Sequence, residues 1–106
     1  MYEDFKNWYV NYCEAEGFYD NHSEDFDNAY ENGGELGLLY SFYEDDEGME
    51  HNIEVCISLN PAEEIVYIDG KVKCRNRFEN IDELYGAYKG VDWEDIYNWV
   101  INNYID

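Results

Sequence analysis

Asp69-Gly70 separates two runs in which apolar and polar residues alternate, EEIVYI at 63–68 and KVKCRNRF at 71–78. A two-residue hairpin turn needs positive φ at its central positions. Asp-Gly supplies it at little cost, so this dipeptide between alternating runs predicts a β-hairpin. A lone hairpin is marginal in water and needs further strands or a covering helix. The preceding residues offer strands. HNIEVCISL at 51–59 puts Ile53, Val55, Ile57 and Leu59 on one face, and LGLLYSFYE at 36–44 reads as another strand. Four consecutive strands with short connections predict an antiparallel meander.

A turn confined to 69–70 sets Ile68 opposite Lys71, Tyr67 opposite Val72, Ile65 opposite Cys74 and Glu64 opposite Arg75. Taking Asn60, Pro61 and Ala62 as the preceding loop pairs Ile57 with Ile65 and Val55 with Tyr67. One face is then expected to hold Val55, Ile57, Leu59, Ile65, Tyr67, Val72, Cys74 and Phe78. The other holds Glu54, Ser58, Glu64, Lys71, Lys73, Arg75 and Arg77. A slip by one residue would turn the cations toward the core. On this reading KVKCRNR, with four of the chain's six basic residues, braces Glu64 and Glu54 and is not a nucleic-acid site. Cross-strand pairs of opposite charge contribute about 0.2–1 kcal/mol each.

Helical periodicity flanks the strand block. Phe5, Trp8, Tyr9, Tyr12 and Cys13 form one apolar stripe over 2–16, and Gly17 is placed to end that helix. Ser23 can cap a second helix over SEDFDNAYEN, with Phe26, Ala29 and Tyr30 inward and Glu24, Asp27 and Glu31 on its outer face. Beyond the strands, Asn80 or Asp82 starts a third helix that ends near Gly90. Asp92 caps a fourth containing Trp93, Ile96, Tyr97, Val100 and Tyr104. The expected fold is α+β, with N-terminal helices, a four-stranded meander and C-terminal helices in a single domain over 1–106.

Charge sets the expectation for function. The chain carries 26 acidic and 6 basic residues, a net charge of −20, far beyond the magnitude of about 2–8 that suits a small soluble domain. Aromatic residues at 19 % exclude a disordered acidic tail. Self-repulsion of this size opposes compactness, so a requirement other than folding is expected to maintain it. The composition is rich in Asn, Tyr and Ile, as in AT-rich coding, yet contains only four Lys, which points to selection against cations at the protein level. Residues 1–70 hold nineteen acidic side chains against Lys6 alone, whereas 71–106 hold seven against five basic ones. The acids concentrate in DNHSEDFDNAYENGGE at 20–35 and EDDEGMEH at 44–51.

Other chemistry finds little support. Three cysteines without C-x-x-C spacing give neither a disulfide framework nor a zinc site, and Cys56 and Cys74 read as inert strand thiols. An EF-hand aligned from Asp20 puts Asp25 where Gly is required and His22 at a ligand position. His22 and His51 lack metal-ligand spacing and read as surface residues. No nucleophile elbow or phosphate loop occurs, so neither an enzyme nor a cofactor is expected. MYEDFKNWY lacks the features of a signal peptide, and the longest apolar run is short of the roughly 18 residues of a membrane span, so a bacterial cytoplasm is the expected location.

A binder of nucleic acid needs positive charge; this surface should repel nucleic acid and attract the proteins that grip it. In size, charge and its SEDFDNAYENGGE and YEDDEGMEH tracts, the chain resembles the acidic DNA-mimic proteins of phages and mobile elements. The resemblance is one of class, without a diagnostic motif. It implies a stoichiometric inhibitor that occupies the positively charged DNA- or RNA-binding groove of a nuclease. The first expectation is an anti-CRISPR protein acting on a Cas effector, the second an anti-restriction protein. An immunity protein for a nuclease toxin is the nearest alternative, and a calcium-binding or acidic scaffold protein the alternative from another class. The expected partner-binding residues are Asp20, Glu24, Asp25, Asp27, Glu31 and Glu35 in the first tract, and Glu44, Asp45, Asp46, Glu47 and Glu50 in the second.

Overall fold

A computed structural model describes residues 2–17 and 22–105. The chain runs α1 (Tyr2–Ala15), α2 (His22–Asn32), β1 (Glu35–Glu44), β2 (Glu50–Leu59), β3 (Ala62–Ile68), β4 (Lys71–Arg77), α3 (Ile81–Tyr88) and α4 (Trp93–Tyr104). The strands form one antiparallel sheet in the order β1-β2-β3-β4, so the α+β meander expected from the sequence is the fold observed. Gly17, with φ at +77°, follows α1 as expected. Asn80 caps α3 by accepting from the Glu83 N–H, and Asp92 with Asp95 forms a capping box on α4. Helix α2 begins at His22, which places Ser23 inside its first turn instead of at the cap. Among the described residues, no helix is long and apolar enough to cross a membrane.

Phe5, Tyr9, Tyr12, Phe26, Ala29, Leu84, Tyr88, Ile96 and Val100 of the four helices join one core with Ile53, Val55, Ile57, Leu59 and Val66 of the sheet. Strand β1 carries a bulge between Gly37 and Leu39, which lets Leu36, Leu38 and Leu39 all be buried. The Tyr12 hydroxyl donates to the Leu38 carbonyl at 2.5 Å and ties α1 to that bulge.

The register of β3 corrects the sequence expectation. The β2–β3 connection is Asn60 and Pro61 alone, because Ala62 already pairs with Leu59. Val55 therefore faces Val66, and Ile57 faces Glu64. This one-residue difference reverses both faces of β3: Glu64 and Val66 turn toward the helices, while Ile65 and Tyr67 turn away. The shift is tolerated because Val66 fills the core beside Val55 and because Glu64 meets donors from Tyr88 and Asn76.

A second departure compensates. Ile68–Lys71 and Tyr67–Val72 pair as expected around Asp69-Gly70, but Lys73 then bulges and Val66 faces Cys74. The bulge restores the phase of β4, so Arg75 and Arg77 stay on the outer face and Cys74 packs against the core. The outer face holds Glu54, Cys56, Ser58, Glu63, Ile65, Tyr67, Val72, Arg75 and Arg77. Tyr67 spans β2 there, with its hydroxyl donating to Glu35 of β1 at 2.6 Å.

Candidate functional site

The two acidic tracts flank β1, an edge strand, one at each end. Helix α2 packs against β1 and β2, and a cavity of about 420 Å³ lined by Tyr9, His22, Asp25, Glu35, Tyr40 and Glu54 places its first turn beside the middle of the strand. The helix therefore runs back along the first half of β1, and the 44–50 loop closes the far end. Strand β1 spans about 30 Å at ~3.4 Å per residue. Asp25 and Glu35 line this cavity, and Glu24, Asp25, Glu31, Glu35, Glu44, Asp46, Glu47 and Glu50 are all exposed. None of these eight makes an ion pair among the described residues. Glu54 joins them at the cavity wall. It was expected beside the cations; that α2 would bring Asp25 next to it was not legible from strand alternation.

The remaining acids of the tracts behave differently. Asp20 lies outside the described residues. Asp27 is half-buried and engaged within the fold, accepting from Lys6 Nζ at 2.9 Å and from the Tyr2 hydroxyl at 2.5 Å. Both bonds, that from Tyr2 above all, hold its carboxyl below the usual carboxylate range. Asp27 thus ties α1 to α2 and is withdrawn from the outer row of α2. Glu35 remains exposed but accepts from Tyr67, which pushes that phenol up to about 12.

Asp45 organises the second tract. Its carboxylate accepts from the N–H groups of Glu47 and Met49, each at 2.9 Å, and Gly48 closes the turn with φ at +81°. The other Asp45 oxygen lies 2.8 Å from His51 Nε2, while His51 Nδ1 lies 2.7 Å from Asp69 Oδ2. The imidazole also stacks on Tyr43, with centroids 5.0 Å apart. Only the imidazolium donates from both nitrogens at once. The hydrogen bonds to Asp69 and then Asp45 raise the His51 pKa, and His51 in turn lowers those of both carboxyls. His51 therefore clasps the β1–β2 loop to the β3–β4 turn. This clasp was not legible in the sequence, because Asp69 lies in a separate turn that reaches Asp45 and His51 only in the folded sheet.

Four of the six basic residues sit on β4, at the opposite edge. Arg75 Nη1 lies 3.1 Å from Glu63 Oε1, and Arg77 Nη2 lies 3.7 Å from Glu63 Oε2. The brace exists with Glu63 as its acid, not Glu64 as the expected register implied. Lys71 and Lys73 make no ion pair among the described residues. Burial pushes the Cys56 thiol up to about 12, in keeping with an unreactive strand cysteine. Among the described residues, no group of His, Cys, Asp and Glu is arranged to hold a metal ion. No family model, curated protein or solved structure matches the chain.

Proposed function

We propose that the protein is a nucleic-acid mimic that blocks the cationic groove of a DNA- or RNA-handling protein, with a Cas nuclease as the first candidate target and a restriction enzyme as the second. The observation that carries this reading is the row of exposed carboxylates along β1 without intramolecular cations. Seven of them, Glu24, Asp25, Glu31, Glu44, Asp46, Glu47 and Glu50, also lack, among the described residues, a side-chain hydrogen bond that would explain them as structural. The strand they flank spans about 30 Å, the length of about nine phosphates of one DNA strand at ~3.4 Å per charge. Tyr40 and Phe42, 69 % and 55 % exposed on the same strand, add flat apolar anchors beside the charge. A partner with a Lys- and Arg-lined groove would gain electrostatic steering, fast association and steep salt dependence.

The test is competition. Binding to the target nuclease should vanish once its groove is filled with duplex DNA or guide–target hybrid, and inhibition should titrate at a fixed stoichiometry. Simultaneous binding of protein and nucleic acid to the target would overturn the proposal and favour the scaffold alternative.

A further inference from the structure

Glu64 is buried, 9 % exposed, on the helix-covered side of β3. Its Oε2 accepts from the Tyr88 hydroxyl and its Oε1 from Asn76 Nδ2 at 2.8 Å. No Lys, Arg or His lies within ion-pair distance among the described residues; the nearby arginines are engaged by Glu63 on the other face. Removing a carboxylate from water is costly unless a cation or a full set of donors compensates. Two neutral donors leave a second lone pair on each oxygen.

The same carboxylate lines a cavity of about 340 Å³ between α3 and α4, walled by Ala87, Tyr88, Val91, Ile96 and Trp99. Ala87 is exposed, as is Asp95, which also lines the cavity, so the space is reached from solvent. We propose that this cavity receives the side chain of an arginine from a partner protein. The apolar walls suit the methylene stem, and the wall includes the aromatic ring of Trp99, a side chain able to attract a cation. The carboxylate accepts a guanidinium in the paired geometry that lysine cannot reproduce. A net charge of −20 favours cations over neutral or anionic occupants. The inference stands apart from nucleic-acid mimicry, since the cavity lies in the C-terminal helical layer and not on the β1 edge.

The test is a titration of the intact protein with N-acetyl-arginine N-methylamide at constant ionic strength, followed by the NMR signals of the Trp99 indole and the Asn76 side-chain amide. Both signals should shift saturably, and the citrulline analogue, uncharged but nearly isosteric, should bind at least tenfold more weakly. The lysine analogue should also bind more weakly than arginine. Glu64→Gln should weaken arginine binding at least tenfold. Ala87→Leu, which fills the cavity from an exposed helical position, should abolish binding with the Asn76 signal retained, and it decides the matter if Glu64→Gln fails to fold. Equal binding of citrulline or lysine, non-saturating shifts, or wild-type affinity in Ala87→Leu would overturn the proposal.

Discussion

The two edges of the sheet treat charge in opposite ways. On β4, Arg75 and Arg77 converge on the almost fully covered carboxylate of Glu63, so cations and anion cancel within the fold. On β1, about 14 Å away across four strands at ~4.8 Å spacing, carboxylates accumulate with no cation among them. A fold in need only of solubility could have spread its six basic residues across both edges. Concentrating four of them on one relieves repulsion there and leaves the other edge strongly negative. Where charge is compensated, it stabilises the protein; where it is not, self-repulsion opposes compactness.

Breaking the acidic edge should have the largest effect. Replacing Asp46, Glu47 and Glu50 with Lys is expected to weaken binding to the target by about 100-fold or more, within the ~10–10³ range of electrostatic steering. The melting temperature should stay level or rise, since none of the three side chains has an ion-pair or hydrogen-bond partner among the described residues. Surface plasmon resonance and thermal denaturation at the same salt would separate the two readouts. Unchanged affinity with intact folding would remove the loop from the site.

The interior acid comes next. Tyr88→Phe takes one donor from Glu64 and should cost about 1–3 kcal/mol of stability, measured by urea unfolding, with inhibition preserved. At the basic edge the expected loss is smaller. Glu63→Gln leaves Arg75 and Arg77 without their shared anion and should cost about 0.5–1 kcal/mol. If Glu63→Gln instead reduced target binding as strongly as the loop triple variant, the division between the two edges would fail.

The pH dependence of the His51 clasp is the subtlest test. The raised His51 pKa means that its contribution is full below the unfolded value of about 6.5 and fades as pH rises through the folded one. The lowered pKa values of Asp45 and Asp69 mean that their contribution is present above about 4 and is lost as pH falls through their folded values. The clasp should therefore be strongest between about pH 4 and 6.5. Melting curves of the wild type and His51→Gln should differ most near pH 5.5 and draw together as pH rises through the raised, folded-state pKa of His51. A constant difference would show that His51 acts through its stacking on Tyr43 alone.

Chain-local physics made much of this legible. Helical stripes such as Phe5, Tyr9 and Tyr12, the caps at Asn80 and Asp92, and the turn at Asp69-Gly70 depend on neighbours within a few residues, so sequence by itself determined them. It also determined the excess of acid and its confinement to the first seventy residues. Tertiary structure decided which acids are available. Asp27 and Asp45 read the same as Glu24 and Asp46 along the chain, but Lys6, Tyr2 and His51 reach only the former pair. The side to which Glu64 and Ile65 point was likewise decided by a two-residue connection and a bulge at Lys73. Alternation fixes which residues share a face of a strand. Which face is buried depends on register and on donors, here Tyr88 and Asn76, carried by elements the strand meets only after folding.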